Sequence, residues 1–444
     1  MVWEVLTFPW HYFAAKYRFA NWSQKQIESY QYRKMRKIAR YAVKHSPFYR
    51  QHYAGRDLSD VWDLPPVNKQ LMMDNLSEFN TLGLSRQDIL GFCLEVEKNK
   101  DYGRRFRGLN IGMSSGTSGN KGVEITTPRE ENYLRALFFA RFPFIKGEKI
   151  NLAFILRVTV PAFDFKFGGH RLNYINQLQP LEQVVAQLQE IQPNVLSGPP
   201  SYLKLLAGAV EREQLNISPR RLVSYAEVLY ADTREYLERV FACPVHEIYK
   251  ATEGAIAMSC RHGSLHINED LIAVETLDAD GSPTAAGRPC QRMLVTDLKK
   301  KSQPIIRYEL NDLVTISPNL CPCGSRFRVI SAIQGRSDDM LTGRDREGNE
   351  QQIMSDYITR AVISASDDVE EFQVVQDTGG RLLVVLLLKP QADRETIAGV
   401  VAENIGKVFL GYDCLLPPLE FRFHRPEANV HSNKFARVRR ERIE

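Results

Sequence analysis

The chain has 444 residues, of which 43% are hydrophobic and 25% charged, a composition ordinary for a soluble globular protein of about three domains or subdomains. Its net charge of +5 comes without a long single-sign block, which argues against nucleic-acid binding, and its apolar runs are too short to span a membrane. The seven cysteines are an odd number and mostly far apart, which argues against a disulfide framework and indicates a reducing compartment, the cytoplasm.

Helical spacing predicts a helix over residues 24–45 that ends at Ser46-Pro47, followed by short helices as far as about Leu90. Four aromatic residues near the start of the chain are expected to pack against the body of the protein, with an interfacial helix as the alternative: Trp3, Phe8, Trp10 and Phe13. From Leu109 onwards strands come first and then alternate with helices, with strands predicted at 109–113, 123–126, 194–197 and 221–226 and helices at 182–191, 201–213 and 233–241. This alternation predicts an α/β sheet domain.

Residues 265–335 are strand-like, with glycine and proline at the turns. A smaller α+β unit follows, with helices predicted at 353–363 and 393–408 and strands at 371–376, 381–389 and 420–424. The fold class is therefore α/β, with a large N-terminal domain of mixed sheets and helices and a small C-terminal α+β domain. We place the boundary within the stretch from Gly335 to Gly343, so that the domains are residues 1–337 and 338–444.

A loop rich in glycine and hydroxyl groups, residues 114–122, lies between the first two predicted strands. Three glycines, four hydroxyls and Lys121 within nine residues are typical of a nest of N–H groups that binds an anion such as phosphate, whereas the alternative is a plain surface turn. The loop is not a Walker motif, because Lys121 is followed by Gly122 and not by serine or threonine. This excludes GTPases and ordinary ATPases.

Two further segments carry side chains suited to a nucleotide. Within 249–254, Tyr249 can stack on a base, Thr252 can bond a phosphate and Glu253 can hold Mg²⁺, although a tyrosine at a strand end is commonly just core. Asp312 lies near a predicted strand end, where a carboxylate can accept hydrogen bonds from ribose hydroxyls or can simply cap a turn. Either segment by itself leaves both alternatives open.

Three thiols and one imidazole suggest a tetrahedral Zn²⁺ site. The candidate ligands are Cys260, His266, Cys321 and Cys323, and His262 is a rival for the imidazole position. Strong zinc motifs use two Cys-x2-Cys pairs, and here there is one Cys-x-Cys. Small buried thiols with a surface histidine remain the alternative.

The motifs together resemble a known family. The loop at 114–122, Tyr-x-x-Thr-Glu at 249–253, Arg-Tyr-x-x-x-Asp at 307–312 and Gly-Arg-Ser-Asp-Asp at 335–339 come in the order and spacing of adenylate-forming enzymes, which include acyl-CoA synthetases, nonribosomal adenylation domains and luciferases. The chain resembles most closely their phenylacetate–CoA ligase branch, which includes CapK-like capsule-biosynthesis relatives. That narrower resemblance rests on the segments 46–50, 64–69 and 321–324.

The resemblance implies a role for each matching residue. The phosphates of ATP would be cradled by Ser114, Ser115, Gly116, Thr117, Ser118, Gly119 and Lys121. The rest of the nucleotide would be bound by Ala226 and Glu227 at the adenine, Tyr249 against its ring, Thr252 at the α-phosphate, and Asp312 and Arg336 at the ribose. Glu253 would hold Mg²⁺, Asp338 would be the hinge and Lys434 the catalytic lysine of the small domain, which with Thr252 and Glu253 completes the catalytic set.

The implied activity is ATP-dependent conversion of a carboxylic acid, aryl or otherwise apolar, into an acyl-adenylate with release of pyrophosphate, followed by transfer to a thiol. The acid pocket would draw on 158–172, 196–202 and 225–230, with Phe163, Phe165, Phe167 and His170 as lining or as core. Residues 340–345 depart from the family pattern, which leaves the acceptor open between CoA, a carrier-protein thiol and another nucleophile. A homodimer is also left open.

Two alternatives belong to other classes of protein. A non-catalytic nucleotide-binding partner protein with the same fold would have no need of Thr252, Glu253, Asp312 and Lys434 together, so their presence favours a ligase. A nucleic-acid-binding protein with a zinc ribbon would need a basic face with interleaved aromatic residues, which the sequence lacks.

Overall fold

The computed structural model describes residues 2–99, 101, 103–113, 122–142, 147–156, 169–336, 340–427 and 435–441, and only the backbone of residues 2–6, 336 and 356. Several predicted site residues lie outside this part of the chain: Ser114 to Lys121 in the glycine-rich loop, Phe163, Phe165 and Phe167, the hinge residue Asp338, and Lys434. In the described part, no helix combines the length and apolar character that crossing a bilayer requires.

Between residues 2 and 99 the regular elements are helices joined by turns and loops. The helices are α1 (Val2–Asn21), α2 (Gln24–His45), α3 (Pro47–His52), α4 (Lys69–Asp74), α5 (Leu76–Phe79) and α6 (Arg86–Asn99). Helix α2 confirms the predicted bounds: Ser23 accepts a hydrogen bond from the Gln26 N–H in a capping box, and Ser46 ends α2 and caps α3. The expectation for the aromatic residues of α1 was wrong in part, because Trp10 and Phe13 are 71% and 65% exposed.

A β-hairpin holds the glycine-rich loop. Strands β1 (Asn110–Met113) and β2 (Val123–Thr126) confirm the predicted strands and pair antiparallel, with Met113 opposite Val123. Helix α7 (Pro128–Arg141) starts directly afterwards, because Thr127 and Glu130 form a capping box. Paired strands therefore flank residues 114–121 on both sides.

Within the described residues, nine strands form the central sheet in the order β13-β14-β9-β8-β7-β6-β5-β3-β4. They are β3 (Asn151–Leu156), β4 (Arg171–Asn176), β5 (Val195–Gly198), β6 (Arg221–Tyr225), β7 (Val245–Ala251), β8 (Gly254–Ser259), β9 (Leu265–Ile267), β13 (Asp312–Ile316) and β14 (Val329–Arg336). Strands β3 to β7 run parallel, and the helices α8 (Leu181–Ile191), α9 (Pro200–Glu211) and α10 (Ala231–Phe241) lie between them in the sequence. This alternation confirms the predicted α/β domain.

A second, three-stranded sheet consists of β10 (Ile272–Leu277), β11 (Arg292–Asp297) and β12 (Tyr308–Leu310). Its buried side chains share one hydrophobic core with α2 and α3. Arg307 has φ +44°, a left-handed conformation that is costly for a residue with a Cβ. Its guanidinium donates two hydrogen bonds to Glu275 and one to the Leu64 carbonyl, and these contacts stabilise that conformation. The N-terminal helices are thereby tied to the segment that leads to Asp312.

The C-terminal residues have a hydrophobic core of their own, whose buried members all lie between 341 and 438. Its elements are β15 (Leu341–Asp345), β16 (Glu350–Ile353), α11 (Ser355–Ile363), β17 (Val369–Gln376), β18 (Leu382–Leu388), α12 (Arg394–Gly411), β19 (Cys414–Leu415), β20 (Leu419–Arg422) and β21 (Val438–Arg440). The helix predicted from residue 353 begins at 355, because residue 353 still pairs with Leu341. The domain boundary at 337/338 falls outside the described residues and stays a prediction.

Candidate functional site

The candidate site lies at the carboxyl ends of three adjacent parallel strands, β5, β6 and β7. In open α/β sheets, ligands bind at this edge, because the loops that follow neighbouring strands meet there. Ser201 follows β5, Glu227 follows β6 and Glu253 follows β7. The sheet therefore brings predicted nucleotide-binding segments to one edge.

Glu227 is positioned by the first turn of α9. Its carboxylate accepts hydrogen bonds from the Ser201 N–H (3.1 Å) and hydroxyl (3.0 Å), so a negative charge lies at the N-terminus of that helix. The preceding Ala226 has φ +69°, a left-handed conformation that is costly for a residue with a Cβ and that turns the chain after β6. Both residues predicted to border the adenine thus have a defined conformation.

Tyr249 and Asp312 meet across the sheet. The Tyr249 hydroxyl donates a 2.6 Å hydrogen bond to the Asp312 carboxylate. Asp312 is the first residue of β13 and pairs in register with Arg336, the last residue of β14. Gly335, one residue earlier, has φ +111°, and a Cβ there would lie 3.2 Å from the Ser355 hydroxyl. Three residues predicted for the adenosine moiety therefore share one corner of the structure.

Thr252 and Glu253 form the tight turn between β7 and β8, since Ala251 pairs with Gly254. Glu253 is 6% exposed. Burial and the neighbouring Glu253 carboxylate raise the pKa of the Tyr308 hydroxyl well above its usual value, so this tyrosine is a neutral group beside the acid. No described lysine or arginine forms an ion pair with Glu253, which leaves its charge available to a cation.

The resemblance to adenylate-forming enzymes breaks at two positions near the site, because Lys250 stands where that family has glycine and Glu309 is the first of three residues that replace its Arg-Thr-Gly. The Lys250 Nζ lies 3.0 Å from the Glu124 carboxylate, on the strand that follows the glycine-rich loop, and Lys300 approaches the same carboxylate at 3.6 Å. A second departure, Glu309, is paired with Arg292 through two hydrogen bonds of 2.6 and 2.8 Å. Both Lys250 and Glu309 therefore have an ion-pair partner of opposite charge.

The C-terminal segment reaches this edge of the large domain. The Phe435 N–H donates a 3.4 Å hydrogen bond to Glu227. Arg437 donates two hydrogen bonds, of 2.9 and 2.5 Å, to Asp232, and its guanidinium lies 4.3 Å from the Tyr230 ring centroid. The residue directly after Lys434 therefore contacts the loop predicted to border the adenine.

The structure brings the four predicted zinc ligands together, with their donor atoms within 4.8 Å of one another. The Cys260 and Cys321 sulfurs are 3.6 Å apart, and the Cys323 sulfur is 3.4 Å from Nε2 of His266. Nδ1 of His266 bonds the Phe327 carbonyl at 2.8 Å, which leaves Nε2 to face the thiols. Exposed His262 contacts Arg261 instead, so the structure does not favour it as the rival ligand.

Sequence reasoning missed three residues of this region: Arg437, Asp232 and Tyr308. Arg437 is the arginine of the same C-terminal motif as Lys434, which was a usable signal. Asp232 carries no such signal, because it is an ordinary acidic residue in the first turn of α10. Tyr308 stands next to the Arg307 of a recognised motif and is fully buried.

No protein-family model matches the chain. It is 27% identical to the phenylacetate-coenzyme A ligase of Escherichia coli K12 over 345 residues, which covers 72% of this chain and 73% of that protein. It is also 26% identical to protein CapK of Staphylococcus aureus over 222 residues, although the matched stretch spans only about half of each chain, 49% and 47%.

Solved structures with the same fold include 2-hydroxyisobutyryl-CoA ligase. In its postadenylation state that protein gives a TM-score of 0.71 at 17% identity, with 96% of this chain and 92% of that chain covered. In its thioesterification state the TM-score is 0.57 at the same 17% identity. The chain is therefore similar in sequence to phenylacetate-coenzyme A ligases and to protein CapK, and it shares its fold with 2-hydroxyisobutyryl-CoA ligase.

Proposed function

We propose that this protein uses ATP to convert a carboxylic acid into an acyl-adenylate, releases pyrophosphate and passes the acyl group to a thiol acceptor. The observation that carries the proposal is the meeting of Tyr249 with Asp312 beside the turn that holds Thr252 and Glu253. These residues come from three separate motifs, and a fold kept only as a scaffold has no need of all of them. An aryl or other apolar acid is the proposed substrate class.

The chemistry joins two negatively charged groups, so it needs positioning and charge neutralisation. A carboxylate oxygen of the substrate attacks the α-phosphorus of ATP, and the bond from that phosphorus to the pyrophosphate oxygen breaks. Asp312 would accept hydrogen bonds from ribose hydroxyls while Tyr249 orients it, and Thr252 would donate to the α-phosphate. Lys434 would neutralise the charge that develops between the substrate oxygen and phosphorus.

The residues present fit Mg²⁺ at Glu253. This buried carboxylate has no ion pair among the described residues, and carboxylates are the oxygen ligands that Mg²⁺ prefers alongside phosphate. Glu253 would hold the ion, which would supply positive charge to the phosphate oxygens. Tyr308, kept neutral by burial, would not compete for it as an anion.

The residues also fit a structural Zn²⁺ on Cys260, His266, Cys321 and Cys323. Three sulfurs and one imidazole nitrogen within 4.8 Å match a tetrahedral site whose Zn–S distance is about 2.3 Å. The metal would join the start of the turn after β8 to the segment before β14, away from the nucleotide edge. The cysteines are all free thiols, which agrees with the cytoplasm that the sequence predicts.

The test is ATP–pyrophosphate exchange over a panel of aryl, aliphatic and hydroxy acids. We expect exchange that depends on one acid class and that falls by on the order of 10²–10³ in Glu253→Gln, with Glu211→Gln on the exposed side of α9 as the control. Tight ATP binding without exchange on any acid would instead favour the non-catalytic nucleotide-binding alternative. Adding CoA or a carrier-protein thiol to the active acid then identifies the acceptor.

A further inference from the structure

A cavity of about 420 Å³ lies next to Glu253, within the range of about 300–1,000 Å³ in which proteins bind small molecules. Its walls come from α1, α2, α7, the β7–β8 turn and the segment 297–302. The lining is unusually rich in cations, which are Lys34, Lys37, Arg129, Lys250, Lys299, Lys300 and Lys301. Only Lys250 belongs to a motif that the sequence analysis singled out.

Five of these seven cations have no acidic partner among the described residues. Lys250 and Lys300 pair with Glu124. No described carboxylate lies within ion-pair distance of the other five, which are Lys34, Lys37, Arg129, Lys299 and Lys301. Three of these lysines contact aromatic rings instead. The Nζ atoms of Lys34 and Lys299 lie 5.4 and 5.9 Å from the Tyr30 ring centroid, and Nζ of Lys301 lies 4.5 Å from the Tyr41 ring centroid.

The ammonium groups also repel one another. Burial, followed by the charges of Lys34 and Arg18, lowers the pKa of Lys299 to about 8. Burial and then the charge of Lys37 lower the pKa of Lys34, and burial and then the charge of Lys299 lower that of His11. Holding several like charges against one cavity is costly unless an anion offsets them.

The acids of the cavity do not supply that anion. Glu130 accepts hydrogen bonds from the backbone N–H groups of Lys301 (2.6 Å) and Ser302 (3.0 Å) and from Thr127. Asp297 accepts from the N–H groups of Lys299 and Lys300, at 2.7 and 2.8 Å, and burial raises its pKa to about 6. Glu130 and Asp297 are therefore occupied by backbone donors, and Glu253, the remaining acid of the lining besides Glu124, lies within ion-pair distance of none of the described lysines. The ammonium groups remain to be matched by a ligand.

We propose that this cavity binds a small molecule that carries two or more phosphate groups. Several ammonium groups around one space suit the multiple charges and acceptor oxygens of a polyphosphate, whereas a single carboxylate would satisfy only one of them. Two sources share this chemistry: inorganic pyrophosphate, the product of the proposed adenylation, and the phosphate-bearing part of a thiol acceptor. The site is defined by charge and geometry, so its binding test needs no catalytic activity.

The test measures the binding of inorganic pyrophosphate and of adenosine 3′,5′-bisphosphate to the purified full-length chain by calorimetry. We expect at least one of them to bind, and Lys34→Gln/Lys299→Gln to weaken that binding by about 10-fold or more. Lys44→Gln, an exposed lysine on the same helix α2, is the matched control and should leave affinity unchanged. Tighter binding of pyrophosphate assigns the cavity to the product; tighter binding of the bisphosphate assigns it to the acceptor.

A second double variant tests whether a loss of binding comes from the lost charges or from misfolding. Lys37→Gln/Lys301→Gln changes only exposed side chains and should weaken the same ligand in the same direction. AMP affinity, which reports the contacts of Tyr249 and Asp312, should stay within about twofold in both pairs. Absence of binding by either phosphate compound, or binding that both double variants leave intact, overturns the proposal. Failure of AMP to bind would count against the proposed adenylation and not against this cavity.

Discussion

The contact between Arg437 and Asp232 should set how often the small domain closes over the nucleotide edge. The two residues are 205 positions apart and join the residue directly before β21 to the first turn of α10. Arg437 is buried, and its guanidinium makes two hydrogen bonds to Asp232 and one of 3.2 Å to the Thr233 hydroxyl. Burial opposes ionisation of Asp232, but the Arg437 guanidinium more than offsets this and lowers its pKa.

Asp232→Asn removes the charge and leaves Arg437 buried without its anion. A buried ion pair that loses one partner costs about 3–5 kcal/mol, but the Asp232 side chain is 43% exposed, so screening reduces the expected cost to about 1–2 kcal/mol. Since 1.4 kcal/mol is tenfold, the equilibrium constant for closure should fall by about 5–30-fold. Under the proposed role of Lys434, adenylation requires closure and should slow by up to that factor, while ATP affinity changes little.

Pyrophosphate exchange measures this first step, and transfer from preformed acyl-adenylate to a thiol measures the second. We expect exchange to fall and transfer to be unchanged or faster. Arg344→Gln, which breaks an exposed ion pair inside the small domain, is the control and should affect neither rate. Exchange at the unmodified rate in Asp232→Asn would refute the idea that this contact holds the closed state. Adding Arg437→Met to Asp232→Asn should recover part of the loss, because no buried charge then remains.

Three further predictions concern single groups. Tyr249→Phe should raise the KM for ATP by about 5–10-fold, because Asp312 loses the hydrogen bond that orients it. An unchanged KM would show that the contact between Tyr249 and Asp312 does not contribute to ribose binding. Protein purified without chelator should contain one zinc per chain. Cys321→Ser should lose the zinc and lower the Tm, whereas the control Cys93→Ser should keep the zinc, and zinc-free unmodified protein would contradict the site. Lys434→Ala should slow adenylation by on the order of 10²–10³ with ATP affinity nearly unchanged. If the variant and the unmodified protein exchanged pyrophosphate at the same rate, Lys434 would have no role in adenylation.

Local signals in the sequence were sufficient for much of the fold. Helix α2 was predicted at its observed bounds, because its capping box and the following Ser46-Pro47 are local signals. The strands on either side of the glycine-rich loop followed from the same kind of local pattern. Bounds failed by two residues where tertiary pairing decided, as at residue 353, which pairs with Leu341 and delays the start of α11.

The sequence by itself determined which residue types stand in the motifs, and with them the resemblance to adenylate-forming enzymes and the candidate ligands for nucleotide and zinc. Only the tertiary structure decided which of them meet. Tyr249 and Asp312 are 63 residues apart, and Cys260 and Cys321 are 61 apart. The lysine-lined cavity lies between α2 and the segment after β11, and no periodic pattern in either segment predicts that the two are neighbours. Periodicity and capping report on neighbours within a few residues, whereas these contacts depend on how whole sheets and helices pack.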